Sequence, residues 1–143
     1  MKIRLVMLGR TRREEMRALL DDYVARIRRY SEIEINELRD SSSPSVRRLK
    51  LESGAHIVML DAAGKQFTSQ QFALWLRDLR DRGFREVVFL SGGAEGFPNE
   101  LRVMAKQKLS LSTLTMPHEF ARVVLAEQIY RAFAILAGHP YPK

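Results

Sequence analysis

Side chains that could perform acid–base or metal chemistry are few and widely spaced in this sequence. Its three histidines are His56, His118 and His139, and it contains no cysteine. A metal site needs several ligands at short spacing and a thiolate nucleophile needs cysteine, so we predict neither. The spacing of the other residues indicates no Ser-His-Asp arrangement and no pair of carboxylates in a common loop. The residue types alone therefore do not identify a reaction.

Two segments are the strongest candidates for ligand binding. Gly92-Gly93-x-x-Gly96 follows an apolar run, and small residues between a strand and a helix let a ligand approach the backbone. Its spacing matches neither the dinucleotide fingerprint nor the phosphate loop, so alone it is more typical of a tight turn. The run from Leu111 to Met116 supplies hydroxyl and backbone groups but no strong base, and alone it is typical of a strand with a polar face.

Alternating apolar and amphipathic segments predict the elements that must position these loops. Five strands are predicted, of which the fifth could also be an extended loop: residues 3–8, 32–38, 57–61, 87–90 and 109–114. The capping-box pairs Thr11–Glu14 and Thr68–Gln71 predict the starts of two helices. A long apolar helix is predicted from Glu119. The sequence therefore predicts an α/β fold, a single domain over residues 1–143 with a mainly parallel sheet flanked by helices.

This order of elements also predicts where a ligand would bind. In a parallel α/β sheet the crevice lies outside the carboxyl ends of the strands. That geometry brings together the loops after Leu60, Leu90 and Leu114. Both candidate segments belong to this edge of the sheet.

The charge of the chain is basic and uneven. The chain has 24 Lys and Arg residues and 17 Asp and Glu residues, which gives a formal net charge of +7. The excess of basic over acidic residues lies in residues 1–50 and 101–143. Such a field attracts phosphate backbones, although an ordinary protein with surplus arginine gives the same balance. No apolar stretch approaches the roughly 20 residues that a bilayer requires, and the first apolar run is too short for a signal peptide. We predict a soluble, cytoplasmic protein with no membrane partner.

Several motifs taken together resemble a known family. They are Leu60-Asp61-x-x-Gly64-Lys65, Gly92-Gly93-x-x-Gly96, Leu111-Ser112-x-Leu114-Thr115-x-Pro117-His118, Leu125-Ala126-Glu127-Gln128-x-Tyr130-Arg131-Ala132 and His139-Pro140-Tyr141. In this order and spacing they resemble the RlmH group of SPOUT methyltransferases over residues 57–141, and more weakly over residues 2–30. The resemblance implies an α/β domain with a C-terminal trefoil knot, active as a homodimer. The general rule that a protein chain does not pass through its own loops would have argued against a knot.

The resemblance also implies an activity. It is the transfer of a methyl group from S-adenosylmethionine, without a metal, to N3 of a pseudouridine in large-subunit (23S) ribosomal RNA on the assembled ribosome. The residues implied for cofactor binding are Leu60, Gly92, Gly93, Leu111, Ser112, Thr113, Leu114, Thr115 and Met116. Backbone groups would read the adenine, and Gly92 and Gly93 would lack side chains because the cofactor occupies that volume.

Removal of the N3 proton requires a base or a cation near the methyl group. The candidates by location are His139, Tyr141, Arg131, Glu127 and His118. We expect the C-terminal tail to close over the target base. The side chains expected to bind ribosomal RNA phosphates are Arg12, Arg13, Arg26, Arg28, Arg29, Arg47, Arg48 and Lys143.

The tail departs from the family pattern at its end. It closes with Pro142 and Lys143, where the family commonly has histidine and arginine, and lysine lacks the planar fork of arginine. Two other interpretations stay open on the residues alone. One is a small basic module that binds ribosomal RNA without catalysis, and the other is a flavodoxin-like nucleotide-binding enzyme, although no phosphate loop fits it. Apolar residues around much of the final helix favour a dimer, but a fully buried core helix has the same pattern.

Overall fold

A computed structural model describes residues 1–40, 42–93 and 96–141. Over these ranges the chain alternates strands and helices. The elements in chain order are β1 Lys2–Leu8, α1 Glu14–Ile27, β2 Ile33–Leu38, α2 Ser43–Arg48, β3 His56–Lys65, α3 Ser69–Asp81, β4 Glu86–Ser91, α4 Asn99–Met104, β5 Gln107–Leu109 and α5 His118–Ala137.

The strands form one parallel sheet in the order β2-β1-β4-β3-β5. Leu5 of β1 pairs with Ile35 of β2 on one side and with Phe89 of β4 on the other. Parallel connections are right-handed, so each reversal of direction along the sheet moves the connecting helix to the opposite face. The predicted α/β class with a parallel sheet is confirmed.

Two apolar clusters, one on each face of the sheet, hold the helices. One cluster joins α1, α3 and α5 through side chains such as Val24, Leu76 and Ile129. The smaller cluster joins α2 and α4 through Val46 and Leu101. Each of these side chains is nearly or fully buried, which stabilises the fold by roughly 1.5–3 kcal/mol apiece. Helix α5 contacts both α1 and α3, so its position depends on both.

One of the two predicted capping boxes is confirmed. Thr68 caps α3, with its side chain accepting from the Gln71 backbone and the Gln71 side chain accepting from the Thr68 backbone. The box predicted at Thr11 is wrong, because α1 begins at Glu14 and Arg13 is its cap residue, without a side-chain hydrogen bond. Thr11 is instead buried, and its hydroxyl accepts from Arg122 of α5.

The fifth strand lies earlier than predicted. β5 is Gln107–Leu109, and the segment after it is the extended loop that was the alternative. β5 pairs with β3 up to Leu60 and again at Lys65, with an irregularity between them. Gly64 lies in that stretch, and a Cβ there would come within 2.6 Å of the Lys108 backbone. Glycine at this position therefore allows β3 and β5 to approach closely.

Candidate active site

A cavity of about 280 Å³ opens at the carboxyl ends of β3 and β4. The loop after β5 and the first turn of α5 close it on the other sides. Eight of the nine residues expected to bind a cofactor line it: Leu60, Gly92, Gly93, Leu111, Ser112, Leu114, Thr115 and Met116. Thr113 is exposed and does not line the cavity. The structure thus brings together the strand-end loops that the sequence assigned to one edge of the sheet.

The loop of residues 110–116 offers apolar side chains and backbone donors to this cavity. It is held by its own serines, since Ser112 Oγ accepts from the Leu114 N–H at 2.9 Å and Ser110 Oγ donates to the Ser112 carbonyl at 3.2 Å. Within the described ranges the N–H groups of Leu111 and Met116 have no hydrogen-bond partner. A ligand with ring acceptors would find donors there.

The two glycines of the turn have their own packing reasons. A Cβ at Gly92 would lie 3.2 Å from the Phe97 ring, and one at Gly93 would lie 3.0 Å from the Leu8 carbonyl oxygen. A side chain at either position would therefore be crowded by neighbouring protein atoms, which would have to shift by a few tenths of an ångström. That the cofactor occupies the volume beside these glycines stays a prediction.

Seven of the residues that line the cavity were not among the site residues predicted from the sequence: Asp61, Ala62, Ser91, Gly96, Phe97, Leu109 and Ala121. Phe97 and Ala121 contribute apolar surface, and Asp61 contributes a carboxylate. Asp61 Oδ1 accepts from the Ala63 N–H at 2.8 Å, and its Oδ2 lies 3.8 Å from the Lys108 ammonium. A carboxylate directly after the apolar run of β3 was the signal that could have identified it.

The five candidate catalytic residues do not share one site within the chain. His118, in the first turn of α5, lines the cavity. Glu127 and Arg131 form an ion pair at 2.7 Å further along the same helix. At 1.5 Å per residue, Arg131 lies about 20 Å along α5 from His118. The expectation that the tail closes over the base beside the cavity therefore fails for a single chain.

The tail folds back against the far end of α5. Tyr141 contacts Tyr130, with ring centroids 4.8 Å apart, and the Arg131 guanidinium lies 4.5 Å from the Tyr141 centroid. The Tyr30 hydroxyl and His139 Nδ1 are 2.5 Å apart. Burial, with hydrogen bonds to Tyr23 and Glu127, raises the pKa of Tyr141 well above its usual value. The phenol is therefore neutral at pH 7 and is suited to stacking or donating rather than to accepting a proton.

Comparison with known proteins assigns the family. Residues 1–142 match the family model described as "Predicted SPOUT methyltransferase". The chain belongs to the SPOUT methyltransferase family. It is similar to proteins named "Ribosomal RNA large subunit methyltransferase H", at 37% identity in Geobacter sulfurreducens, 42% in Gloeobacter violaceus and 38% in Sorangium cellulosum. These alignments cover 99% of this chain and 98–99% of each relative.

Membership confirms the resemblance seen in the motifs. The chain is a methyltransferase, and the SPOUT fold implies the C-terminal trefoil knot. Methyltransferases of the SPOUT class use S-adenosylmethionine. The residues that line the cavity are of types that can bind such a ligand. Apolar side chains can enclose an adenine ring, and the N–H groups of Leu111 and Met116 can donate to its nitrogens.

The arginines expected to bind RNA are spread over three regions of this SPOUT domain. Arg12 and Arg13 lie at the start of α1, and Arg13 lies 5.6 Å from the Phe120 ring. Arg26, Arg28 and Arg29 lie at the end of α1, where Arg26 pairs with Asp22 at 3.2 Å. Arg47 and Arg48 are in the last turn of α2, on the opposite face of the sheet. Lys143 lies outside the described residues. These side chains do not form one continuous patch.

In residues 1–40, 42–93 and 96–141, no three histidine, aspartate or glutamate side chains are grouped so that they could hold a metal ion. None of the helices described combines the length and the apolar character needed to span a bilayer.

Proposed function

We propose that this methyltransferase transfers a methyl group from S-adenosylmethionine to N3 of a pseudouridine in large-subunit (23S) ribosomal RNA. It would act in the cytoplasm on the assembled ribosome. The observation that carries the proposal is the cavity, which gathers the three strand-end loops whose motifs match the family. Support comes from full-length relatives at 35–42% identity that are named for the large-subunit ribosomal RNA. The net charge of +7 suits an RNA substrate.

The proposed cofactor site is the cavity itself. Its members are Leu60, Gly92, Gly93, Leu111, Ser112, Leu114, Thr115 and Met116, with Thr113 contributing through loop geometry. The cofactor supplies a methyl group activated by a sulfonium centre. The protein's part is to fix the reacting atoms in near-attack geometry and to exclude water, with apolar walls and backbone donors. No metal is required for this displacement.

The base must become a nucleophile at N3. N3 loses its proton, its electron pair forms the new bond to the methyl carbon, and the carbon–sulfur bond breaks in line. Of the five catalytic candidates, His118 is the one that lines the cavity, so we assign it the proton. A nearby guanidinium would stabilise the negative ring. Arg131, paired with Glu127, is our candidate for that role.

A homodimer would bring the separated groups together. Phe120, Val124 and Ile135 are 36–39% exposed and recur at helical spacing on one face of α5. Glu127 and Arg131 lie on the same face. We propose that a second copy covers this face and that the tail of one protomer serves the cavity of the other. His139 and Tyr141 would then act on the partner's substrate, with Tyr141 stacking or donating to the base.

Methyl transfer to ribosomal RNA, followed by mapping of the modified nucleotide, tests the whole proposal. Ribosomes from a strain lacking the enzyme are incubated with the protein and labelled S-adenosylmethionine, and the modified nucleotide is mapped. The expected result is one N3-methylpseudouridine in the large subunit. Calorimetry is expected to give saturable cofactor binding in the micromolar range. Absence of cofactor binding in the folded protein would instead favour a non-catalytic RNA-binding module.

Ala121→Phe tests whether the cavity is the cofactor site. Its ring would enter the space that the cofactor needs. We therefore expect neither cofactor binding nor methyl transfer from this variant, while its unfolding should match that of the wild type.

The proposed contacts to ribosomal RNA phosphates are the basic side chains of Arg12, Arg13, Arg26, Arg28, Arg29, Arg47, Arg48 and Lys143. The salt slope of ribosome binding, measured for each regional group, separates those that contact RNA from those that do not.

A further inference from the structure

A second cavity of about 700 Å³ adjoins the proposed cofactor cavity. It lies at the carboxyl ends of β1 and β2, between the β1–α1 connection and Phe97. The two cavities share Gly93, Gly96, Phe97 and His118 as lining residues. We call the second cavity the arginine cleft, because Arg10, Arg12 and Arg39 line it. A group bound in the cleft would lie next to the methyl donor.

The three guanidinium groups of the cleft are not held in ion pairs with other described residues. All three residues are exposed, and within the described ranges their side chains have no hydrogen-bond or ion-pair partner. Arg17, close by in sequence, differs in that it pairs with Glu37 at 3.1 Å. Unpaired guanidiniums that converge on one cavity are a site for an anion, and their planar forks match phosphate oxygens.

The carboxylates of the cleft are already engaged elsewhere. Asp40 accepts from the Ser42 N–H at 2.9 Å and from the Ser45 hydroxyl at 2.7 Å. Glu119 accepts from the backbone N–H groups of Arg12 and Arg13, each at 3.1 Å. Both carboxylates remain charged, but neither is held in an ion pair with a guanidinium of the cleft. Among the described lining residues, three guanidiniums stand against two carboxylates, which leaves a formal charge of +1.

The wall that carries two of the arginines is fixed from α5. Arg122 donates to the Leu8 carbonyl and to the Thr11 hydroxyl, on either side of Arg10. Glu119 binds the next two backbone N–H groups. The guanidiniums of Arg10 and Arg12 thus extend from a loop that is held before any ligand arrives, which lowers the entropic cost of binding.

We propose that the arginine cleft binds the phosphates that flank the target nucleotide, with Arg10 and Arg39 as the specific contacts beside Arg12. This inference rests on the proposed function, since it assigns the substrate side of the same site. The base would then pass the shared wall at His118 and meet the methyl donor in the cofactor cavity. Arg10 and Arg39 were not among the arginines predicted from sequence. Their convergence depends on strands that are neighbours only in the folded sheet.

The test compares two double variants that remove the same charge. Arg10→Ala with Arg39→Ala removes the cleft contacts. Arg77→Ala with Arg85→Ala is the control, because both side chains are exposed, lack described partners and lie on α3 and at the amino end of β4. For each variant we would measure the dissociation constant of S-adenosylmethionine, the KM for ribosomes, and the salt slope of ribosome binding.

The cleft variant is expected to raise KM about tenfold or more and to lower the salt slope by about 2, with cofactor affinity unchanged. The control is expected to change none of these. Equal KM and salt slope in the two variants would overturn the proposal. Weakened cofactor binding with normal ribosome binding would also overturn it, since the cleft would then hold the carboxylate end of the cofactor. If the wild type transfers no methyl group, the proposed function fails, while the salt slope still tests the cleft as an RNA site.

Discussion

Arg122 of α5 donates from Nη2 to the carbonyl oxygen of Leu8 at 2.7 Å, joining residues 114 positions apart. Its side chain is fully buried, and Nη1 donates to Thr11 Oγ1 at 2.9 Å. Burial lowers the pKa of Arg122, and the carboxylates of Glu37 and Glu119 offset this only in part. A buried cation thus ties the end of β1 to the helix whose first turn lines the cofactor cavity. The cavity and the arginine cleft share this support.

Arg122→Met is expected to destabilise the fold by about 3 kcal/mol. The Leu8 carbonyl and the Thr11 hydroxyl would lose a buried donor, and Glu37 would lose a neighbouring charge. Methionine retains a long apolar side chain, so the loss of packing is small. Urea unfolding at fixed protein concentration measures the change. Arg77→Met, on the exposed face of α3, is the control, and equal midpoints for the two variants would contradict a supporting role for Arg122.

Gly64→Ala is expected to weaken cofactor binding about tenfold or more without touching the cavity. A Cβ at this position would lie 2.6 Å from the Lys108 carbonyl carbon and 2.8 Å from the Leu109 nitrogen. These are backbone atoms, so β5 must move away from β3 and carry the 110–116 loop with it. Calorimetry with S-adenosylmethionine measures the effect. Gly54→Ala is the control, since no atom lies within 4 Å of its added Cβ, and equal losses in both variants would argue against this route.

Local patterns predicted much of the fold. The apolar runs of β1, β3 and β4 and the Thr68–Gln71 capping box are short-range signals, and they appear where the sequence indicates. The start of α1 was mispredicted because Thr11 makes a long-range bond to Arg122, which no local rule contains. The position of β5 was missed for a similar reason. Its pairing with β3 is fixed by the close approach at Gly64 rather than by its own apolar residues.

The cofactor loops were easier to predict than the catalytic groups. Strand ends in a parallel sheet meet at one edge, so Leu60, Gly92 and the Leu111 loop could be placed together from their order alone. The tail could not be placed, because its distance from the cavity depends on the length and packing of α5. A buried arginine within an apolar helix face, such as Arg122, also contradicts the usual pattern for that residue.

Acid is expected to destabilise the protein through Glu37 and Glu119. Partial burial acts to raise the pKa of Glu37, but the Thr11 N–H and the Arg17 guanidinium outweigh it, so the pKa lies below the ordinary 4.5. The pKa of Glu119 is likewise lowered, because the N–H groups of Arg12 and Arg13 outweigh its burial. A lowered carboxyl pKa means that this stabilisation is present above about pH 4.5 and is lost as pH falls through the lower folded-state value.

The measurement is the free energy of unfolding at several pH values between neutrality and pH 3. Glu37→Gln is expected to be less stable at pH 7 and to lose less stability on acidification than the wild type. Glu52→Gln, at an exposed residue whose side chain has no described hydrogen bond, is the control. Identical acid dependence in the wild type and Glu37→Gln would show that this carboxylate does not carry the effect.

Mixed dimers test whether the tail acts in the partner's cavity. Ala121→Phe is expected to block one cavity while leaving its own tail intact, and Tyr141→Ala is expected to do the reverse. Each homodimer should transfer little or no methyl group. If tail and cavity meet across the dimer, random exchange at equal concentrations makes half of the dimers mixed, each with one complete site, and restores about a quarter of wild-type activity.

Whether the mixed dimer is active depends on whether each tail serves its own cavity or that of its partner. A tail that served the cavity of its own chain would leave every site in the mixed dimer with one defect, so no activity would return. Tyr141→Phe separates the role of the ring from that of the hydroxyl, because phenylalanine retains stacking against Tyr130 and Arg131. Since the raised pKa keeps the phenol neutral, Tyr141→Phe is expected to lower the rate without removing a limb of the pH–rate profile near neutrality. Co-purification of differently tagged chains must show that the mixed dimer has formed, and an inactive mixed dimer would then contradict the shared site.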